Sequence, residues 1–118
     1  MTLVIGSTPA GTPLLEDTTT GTTTDDYADN TLTIETGGFP RKIISLKNTG
    51  GSNTLKYKID TSIDNVVYFG SVAETTLAPA ATASKIDTDD WKYVKVQVKN
   101  NATTAATTYS LVLRGSVY

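Results

Sequence analysis

Residues 91–99 read WKYVKVQVK, an alternation of apolar and polar side chains that decides the fold of the chain. Val94, Val96 and Val98 fall on one face of this segment, whereas Trp91 and Tyr93 fall on the other face with the polar residues. A period of two residues is typical of a β-strand with one buried side. The segment therefore predicts a strand that contributes a valine stripe to a core.

Segments on both sides of this stretch show related patterns. Residues 54–60 (TLKYKID) alternate cleanly, and the turn-rich residues 48–53 before them predict a hairpin with residues 41–47. Residues 66–73 (VVYFGSVA) form an apolar run that is typical of a strand buried on both faces. Strands are expected over residues 31–36, 41–47, 54–60, 66–73, 84–87, 91–99 and 107–115. The apolar faces are expected to carry Leu32, Ile34, Ile44, Leu46, Leu55, Tyr57, Ile59, Val94, Val96, Val98, Tyr109, Leu111 and Leu113.

The spacing of these segments indicates the fold class. About seven or eight short strands, separated by turns at intervals of roughly ten residues, predict an all-β antiparallel sandwich of the Ig-like or jelly-roll-like kind. Threonine, which is β-branched and suits a pleated surface, is by far the commonest residue. No apolar period of 3.6 residues persists long enough to predict a helix, and residues 78–83 are expected to cross between sheets.

Charge and composition divide the chain in two. Residues 1–40 carry six acidic side chains and no basic ones, so residues 41–118 carry a net +4 within the total of -2. Residues 1–30 are rich in Thr, Gly and Pro, and only isolated aliphatic groups interrupt them. We therefore expect an extended acidic arm over residues 1–30 and a β-sandwich domain over residues 31–118. The alternative is a flexible terminus with no function.

Composition also argues against several classes of function. The chain contains no histidine and no cysteine, so it lacks the commonest general base and the usual ligands of transition metals. No catalytic, cofactor-binding or metal site is therefore expected, and the protein is not expected to be an enzyme. No segment approaches the ~20 apolar residues that span a bilayer, and the N-terminus lacks the features of a secretory signal.

Two clusters of charged residues are candidates for ligand binding. Asp87, Asp89 and Asp90 lie in one turn and supply the oxygen ligands that Ca²⁺ prefers, but their spacing matches no EF-hand, and solvated turn residues are the favoured explanation. Lysines on the sandwich resemble a phosphate-binding surface, yet a pI near 4.9 and the acidic arm argue against nucleic acid. Neither calcium nor nucleic acid is expected as a partner.

Contact with a protein partner is the expected role of a few apolar and aromatic residues. Extended apolar segments add as strands to exposed sheet edges, and Trp and Tyr are enriched at interface centres. For the aromatic residues, core or subunit contact is the favoured role, and partner contact and sugar stacking are the alternatives. The residues expected to bind a partner are Leu3, Val4, Ile5, Leu14, Leu15, Trp91 and Tyr93.

Three motifs carry a resemblance to a known group of proteins. They are KNTG at residues 47–50, LKYKIDxSxD at residues 55–64 and WKYVKV at residues 91–96. Residues 41–115, which contain them, resemble small β-sandwich accessory proteins of tailed-bacteriophage virions, the capsid decoration, cement or head-fibre type. Residues 1–30 match no motif of that group.

The resemblance implies a function without catalysis. Such proteins bind the outside of an assembled capsid, often as trimers, and strengthen it. It implies the phage major capsid protein as partner, a homo-oligomer with a trimer favoured, and a location on the virion surface after assembly in the host cytoplasm. Two alternatives stay open: a receptor- or carbohydrate-binding fibre module that uses Trp91, Tyr93, Tyr57 or Tyr68, and a bacterial surface or adhesion domain.

Overall fold

The computed structural model describes residues 6–7, 13–37, 39–88 and 91–116 of the chain. Nine β-strands lie in these ranges, and a single turn of 3-10 helix over Tyr27–Asn30 precedes the third. The strands are β1 (Gly6–Ser7), β2 (Pro13–Thr22), β3 (Thr31–Glu35), β4 (Arg41–Asn48), β5 (Leu55–Ser62), β6 (Phe69–Leu77), β7 (Thr82–Asp87), β8 (Tyr93–Asn100) and β9 (Thr108–Ser116).

The strands form two antiparallel sheets that enclose one core. The five-stranded sheet has the order β1-β2-β9-β4-β7, and the four-stranded sheet has the order β3-β8-β5-β6. Both sheets contribute alternate residues to one cluster of buried apolar side chains. Full burial of each such side chain stabilises the fold by roughly 1.5–3 kcal/mol. The prediction of an all-β antiparallel sandwich is therefore confirmed.

The core follows the predicted alternation. Val94, Val96 and Val98 are buried on β8, and the side chains between them are half-exposed. The other predicted core residues are buried as well, except for Leu32, which is partly buried. The buried cluster comprises Leu15, Ile34, Ile44, Leu46, Leu55, Tyr57, Ile59, Leu77, Val94, Val96, Val98, Tyr109, Leu111 and Leu113.

The prediction of an extended arm over residues 1–30 is wrong for residues 13–30. Strand β2 pairs with β9 from Leu14↔Ser116 to Thr22↔Thr108, and Leu15 is only 1% exposed. The side chains of β2 explain the error. Thr18, Thr20 and Thr22 face solvent, and the inner positions after Leu15 are not apolar, so the strand lacks the apolar alternation by which its neighbours are recognised. Residues 1–5 and 8–12 lie outside the described residues.

The predicted hairpin between residues 41–47 and 54–60 is also wrong. Strand β4 pairs with β7 and β9, whereas β5 pairs with β6 and β8 in the other sheet. The buried Asn48 side chain holds the crossing: its Nδ2 donates to the Asn53 and Leu77 carbonyls at 2.8 and 3.0 Å. Its Oδ1 accepts from Gly50 N and Thr107 Oγ1 at 3.1 and 2.8 Å. The turn residues therefore make a corner between the sheets.

Buried charged groups lie on the inner face of the five-stranded sheet. Lys42 and Asp87 are cross-strand neighbours on β4 and β7, and both are buried. Asp17 on β2 is 2% exposed, and neither of its carboxylate oxygens has a hydrogen-bond partner within the part of the chain that is described. Burying a carboxylate without such a partner destabilises a fold. Asp17 is therefore a destabilising element of this core.

Candidate functional site

Large apolar side chains are exposed at one end of the four-stranded sheet. The loop that joins β5 to β6 presents Ile63, Val66 and Val67 to solvent, with exposed fractions of 66%, 79% and 54%. Phe69, the first residue of β6, is 54% exposed. Large apolar side chains that are exposed close together in the chain are a common feature of binding surfaces. This end of the sandwich is therefore the candidate binding site.

A hydrogen-bond network gives the loop a defined shape. Asp64 Oδ1 accepts from the backbone N–H groups of Val66 and Val67, both at 2.9 Å. Ser62 Oγ donates to the Val67 carbonyl at 2.6 Å and accepts from Asn65 N at 3.0 Å. Asn65 has a φ of 61°, a left-handed conformation that asparagine tolerates. The apolar side chains are thus presented on an ordered loop.

The charge on Asp64 strengthens this network. Hydrogen bonds from Val67 N and Val66 N lower the pKa of Asp64 because they stabilise the ionised carboxylate. The adjacent Tyr68 hydroxyl donates to Asn65 Oδ1. Asp64 is therefore ionised at neutral pH, and its carboxylate holds the loop through these hydrogen bonds.

Trp91 joins the loop across the end of the sheet. The register pairs Thr61↔Phe69 and Ser62↔Tyr93 bring the starts of β6 and β8 to opposite sides of the end of β5. The rings of Phe69 and Trp91 lie with centroids 5.7 Å apart and planes tilted by 35°. Tilted aromatic pairs of this spacing are attractive. We call Ile63, Val66, Val67, Phe69 and Trp91 the apolar end patch.

Lysine–tyrosine contacts border the apolar end patch. The Lys95 ammonium lies 3.9 Å from the centroid of the Tyr68 ring, and the Lys92 ammonium lies 5.7 Å from that of Tyr93. Cations are attracted to the faces of aromatic rings. Partial burial raises the pKa of Tyr68, so its hydroxyl stays neutral at ordinary pH. The border is therefore cationic and polar, and one face of each tyrosine ring is covered.

The structure separates the residues that were expected to bind a partner. Tyr93 is half-exposed on the side of β8 opposite the valine stripe, and Trp91, which precedes β8, is half-exposed at the site. Leu15 belongs to the core, so the prediction that it anchors a partner is wrong. Leu14 lies in β2, paired with Gly6 and Ser116. Leu3, Val4 and Ile5 lie outside the described residues.

The sequence analysis missed the main apolar residues of the site. It assigned residues 66–73 to a strand buried on both faces, but Val66 and Val67 lie in the loop and most of β6 is exposed. The signal was the segment Ser62-Ile63-Asp64-Asn65 just before them, because Ser, Asp and Asn side chains bond the backbone of tight turns. A loop of that type delays the start of the strand to Phe69.

The structure also bears on the candidate metal-binding and sugar-binding residues. Asp87 is buried at the end of β7, and Asp89 and Asp90 lie outside the described residues. Within the described ranges, no group of three or more acidic, histidine or cysteine side chains is arranged to hold a metal ion. Tyr57 is buried and is therefore unable to stack on a sugar. No helix in the described residues is long and apolar enough to cross a membrane.

Comparison with known proteins identifies a fold. No protein-family model and no curated protein sequence matches the chain. A solved structure of the prophage-derived protein YomS, of the SPBc2 prophage, is similar at 14% identity and a TM-score of 0.51, over 85% of this chain and 95% of that one. The pre-peptidase C-terminal domain of a Bacillus anthracis collagenase is similar at 19% identity and a TM-score of 0.52, over 83% and 89% of the two chains.

A third similar structure belongs to a filament protein. It is the structure of Bacillus endospore appendages, which are disulfide-linked pili. The match covers 99% of this chain and 100% of the other, at 13% identity and a TM-score of 0.45. At such low identities a structural likeness shows the fold alone. The two likenesses with TM-scores above 0.5 therefore support a small β-sandwich.

Proposed function

We propose that this protein is a non-enzymatic accessory protein of a tailed-phage virion that binds the outside of the capsid and stabilises it. Its partner is the major capsid protein, and its place is the surface of the virion, which assembles in the host cytoplasm. The observation that supports the proposal best is the apolar end patch on its ordered loop. A decoration protein needs such a preformed adhesive surface.

The energetics of the patch suit permanent attachment. Burial of apolar area yields roughly 25 cal/mol per Å², and aromatic residues near the centre of an interface contribute most. Because Asp64 and Ser62 already order the loop, little conformational entropy is lost on binding. The patch therefore favours a long-lived contact with an apolar pocket on the capsid surface.

The composition supports a role without catalysis. The chain has no histidine and no cysteine, and the ionisable groups at the patch include Asp64 and the lysines over Tyr68 and Tyr93. Asp64 accepts hydrogen bonds from its own loop, and the lysines lie over aromatic rings. The proposed function is therefore adhesion through surface contact, by an oligomer for which a trimer is favoured.

Binding to phage heads tests the proposal directly. The double variant Val66→Ser with Val67→Ser removes two exposed side chains and leaves the Asp64 hydrogen bonds to the backbone in place. We expect its Kd for heads that lack the accessory protein to rise by roughly 10- to 100-fold, from the apolar area lost. Ile43→Ser is the matched control, because Ile43 is also exposed but lies on the other sheet.

Two results would count against the proposal. If the wild-type protein does not co-sediment with heads, the capsid is not its partner. If the double variant and the Ile43→Ser control bind equally well, the patch is not the contact surface.

Carbohydrate binding is the second candidate, and the half-exposed Trp91 favours it. Sugar rings stack on open aromatic faces, and the Trp91 ring is tilted against Phe69 at the surface. An ammonium group lies over the ring of Tyr68 and of Tyr93, and Tyr57 is buried. A glycan array that gives binding in the wild type and none in Trp91→Ala supports this candidate.

A further inference from the structure

A cleft opens on one side of the sandwich, between the edge strands β7 and β6 of the two sheets. Its volume is about 150 Å³, and we call it the side cleft. Two local features leave this space. Ala83 is a small residue that packs against the core from β7, and β6 pairs with β5 through register irregularities on both sides of Ile59. The apolar walls of the side cleft are formed by Ile44, Leu46, Ile59, Val72 and Ala83.

Tyr57 brings a polar group to this apolar space. It lines the side cleft and is only 8% exposed. Its hydroxyl makes no hydrogen bond with any residue in the part of the chain that the structure describes. The hydroxyl of a buried tyrosine usually has a hydrogen-bond partner. Tyr57 therefore offers the side cleft a donor that its own fold does not use.

Lys85 brings a positive charge to the same space. It lies on the inner side of β7 opposite Ile44, lines the side cleft and is half-buried. Among the described residues it forms no ion pair. The next inward residue on β7, Asp87, is buried opposite Lys42. The lysine ammonium at the side cleft is therefore available to an anion from outside the chain.

We propose that the side cleft binds a small organic carboxylate with an apolar body about the size of a benzene ring. The apolar walls enclose the body, and the Lys85 ammonium and the Tyr57 hydroxyl donate hydrogen bonds to the carboxylate oxygens. A carboxylate fits these groups because both are donors and one is charged, and hydrogen bonds between ionised groups are the strong ones. The inference goes beyond the proposed function, since the side cleft shares no residue with the apolar end patch.

The size of the side cleft restricts the ligand. A cavity of about 150 Å³ accepts a benzene-sized apolar group. Acetate carries the charge without an apolar body to bury, and a long-chain fatty acid exceeds the volume. Benzoate and hexanoate are therefore suitable probes, because they share the carboxylate and differ in whether the body is a ring or an aliphatic chain.

An NMR titration of the full chain tests the proposal, with the backbone amide signals of Val72 and Ala83 as reporters of the side cleft. We expect benzoate, hexanoate or both to shift these signals in a saturable manner. Benzyl alcohol has the body of benzoate without its charge, so its Kd should be at least roughly tenfold higher than that of benzoate. Benzylamine should bind more weakly still, because Lys85 repels its charge.

Two variants assign the donors. Lys85→Met keeps a long apolar side chain and removes the charge, so its Kd for benzoate should rise to that for benzyl alcohol. Tyr57→Phe removes only the hydroxyl and should raise the Kd for benzoate by about three- to tenfold. Lys47→Met is the matched control, since Lys47 is an exposed lysine on the neighbouring strand β4, outside the side cleft, and its Kd should equal that of the wild type.

Three results would overturn the inference. The first is the absence of saturable shifts with both benzoate and hexanoate. The second is an equal Kd for benzoate and benzyl alcohol in the wild type. The third is an equal Kd for benzoate in the wild type and Lys85→Met, which would mean that the lysine only covers the side cleft with its aliphatic stem. Tyr57→Phe preserves the packing of the ring, so it tests the second donor even if Lys85→Met alters the fold.

Discussion

Asp64 accepts a hydrogen bond from the backbone N–H of Val67 at 2.9 Å, and through this bond an ionised carboxylate positions an exposed valine. The contact ties the shape of the candidate binding loop to a charge. It also makes the order of that loop sensitive to acid.

The pH dependence of stability follows from the lowered pKa of Asp64. The pKa is below its ordinary value of 3.8 in the folded chain, so ionised Asp64 stabilises the fold above the unfolded value. This stabilisation is lost as the pH falls through the folded value. We expect Asp64→Asn to be less stable than the wild type at neutral pH, with a gap that closes in acid. Urea unfolding from about pH 7 to about pH 2 measures it, and a gap that is constant with pH would refute the role of the charge.

Replacing Asp17 is expected to stabilise the protein. Its carboxylate is buried and neither oxygen has a hydrogen-bond partner in the described part of the chain. Asp17→Val, which removes the buried charge, should raise the free energy of unfolding by about 1–3 kcal/mol. Urea denaturation measures the change, with the outward-facing Thr18→Val as control. A less stable Asp17→Val variant would show that the carboxylate has a favourable role.

Leu15 distinguishes a strand from an arm. It is 1% exposed within the core cluster, so Leu15→Ala should lower the free energy of unfolding by roughly 2–5 kcal/mol. Thr18→Ala, on the outer face of the same strand, should change it by much less. If both variants unfold at the wild-type urea concentration, residues 13–22 do not belong to the sandwich.

Asn48 is expected to be critical for the crossing between sheets. Its buried amide makes four hydrogen bonds, and its removal leaves their partners unpaired. Asn48→Ala should therefore lower the free energy of unfolding by about 1–3 kcal/mol. The exposed Asn101→Ala is the control, and thermal unfolding provides the measurement. Equal melting temperatures would mean that the corner is held by other contacts.

Alternation in the sequence predicted most of the sandwich correctly. It placed Val94, Val96 and Val98 in the core and Tyr93 on the opposite side, because a strand that is buried on one side alternates apolar and polar residues. This alternation is missing where the inner face of a strand is not apolar. Strand β2 presents an aspartate, a threonine and a glycine inward after Leu15, so it resembles a loop.

Sheet partners and the candidate site were harder to predict. A turn-rich segment after β4 has the same composition whether it makes a hairpin or a corner, and the difference lies in the buried hydrogen bonds of Asn48 to distant residues. Likewise, the apolar run after Asn65 resembles a buried strand, and only the bonds of Asp64 to Val66 and Val67 place it in an exposed loop.

The central claim is that the protein stabilises a capsid through the apolar end patch. The temperature at which heated phage heads release their DNA measures this most directly, with heads that lack the accessory protein as the starting material. The account predicts a higher release temperature with the wild-type protein and little change with the Val66→Ser, Val67→Ser double variant. Release at the same temperature with and without saturating wild-type protein would contradict it.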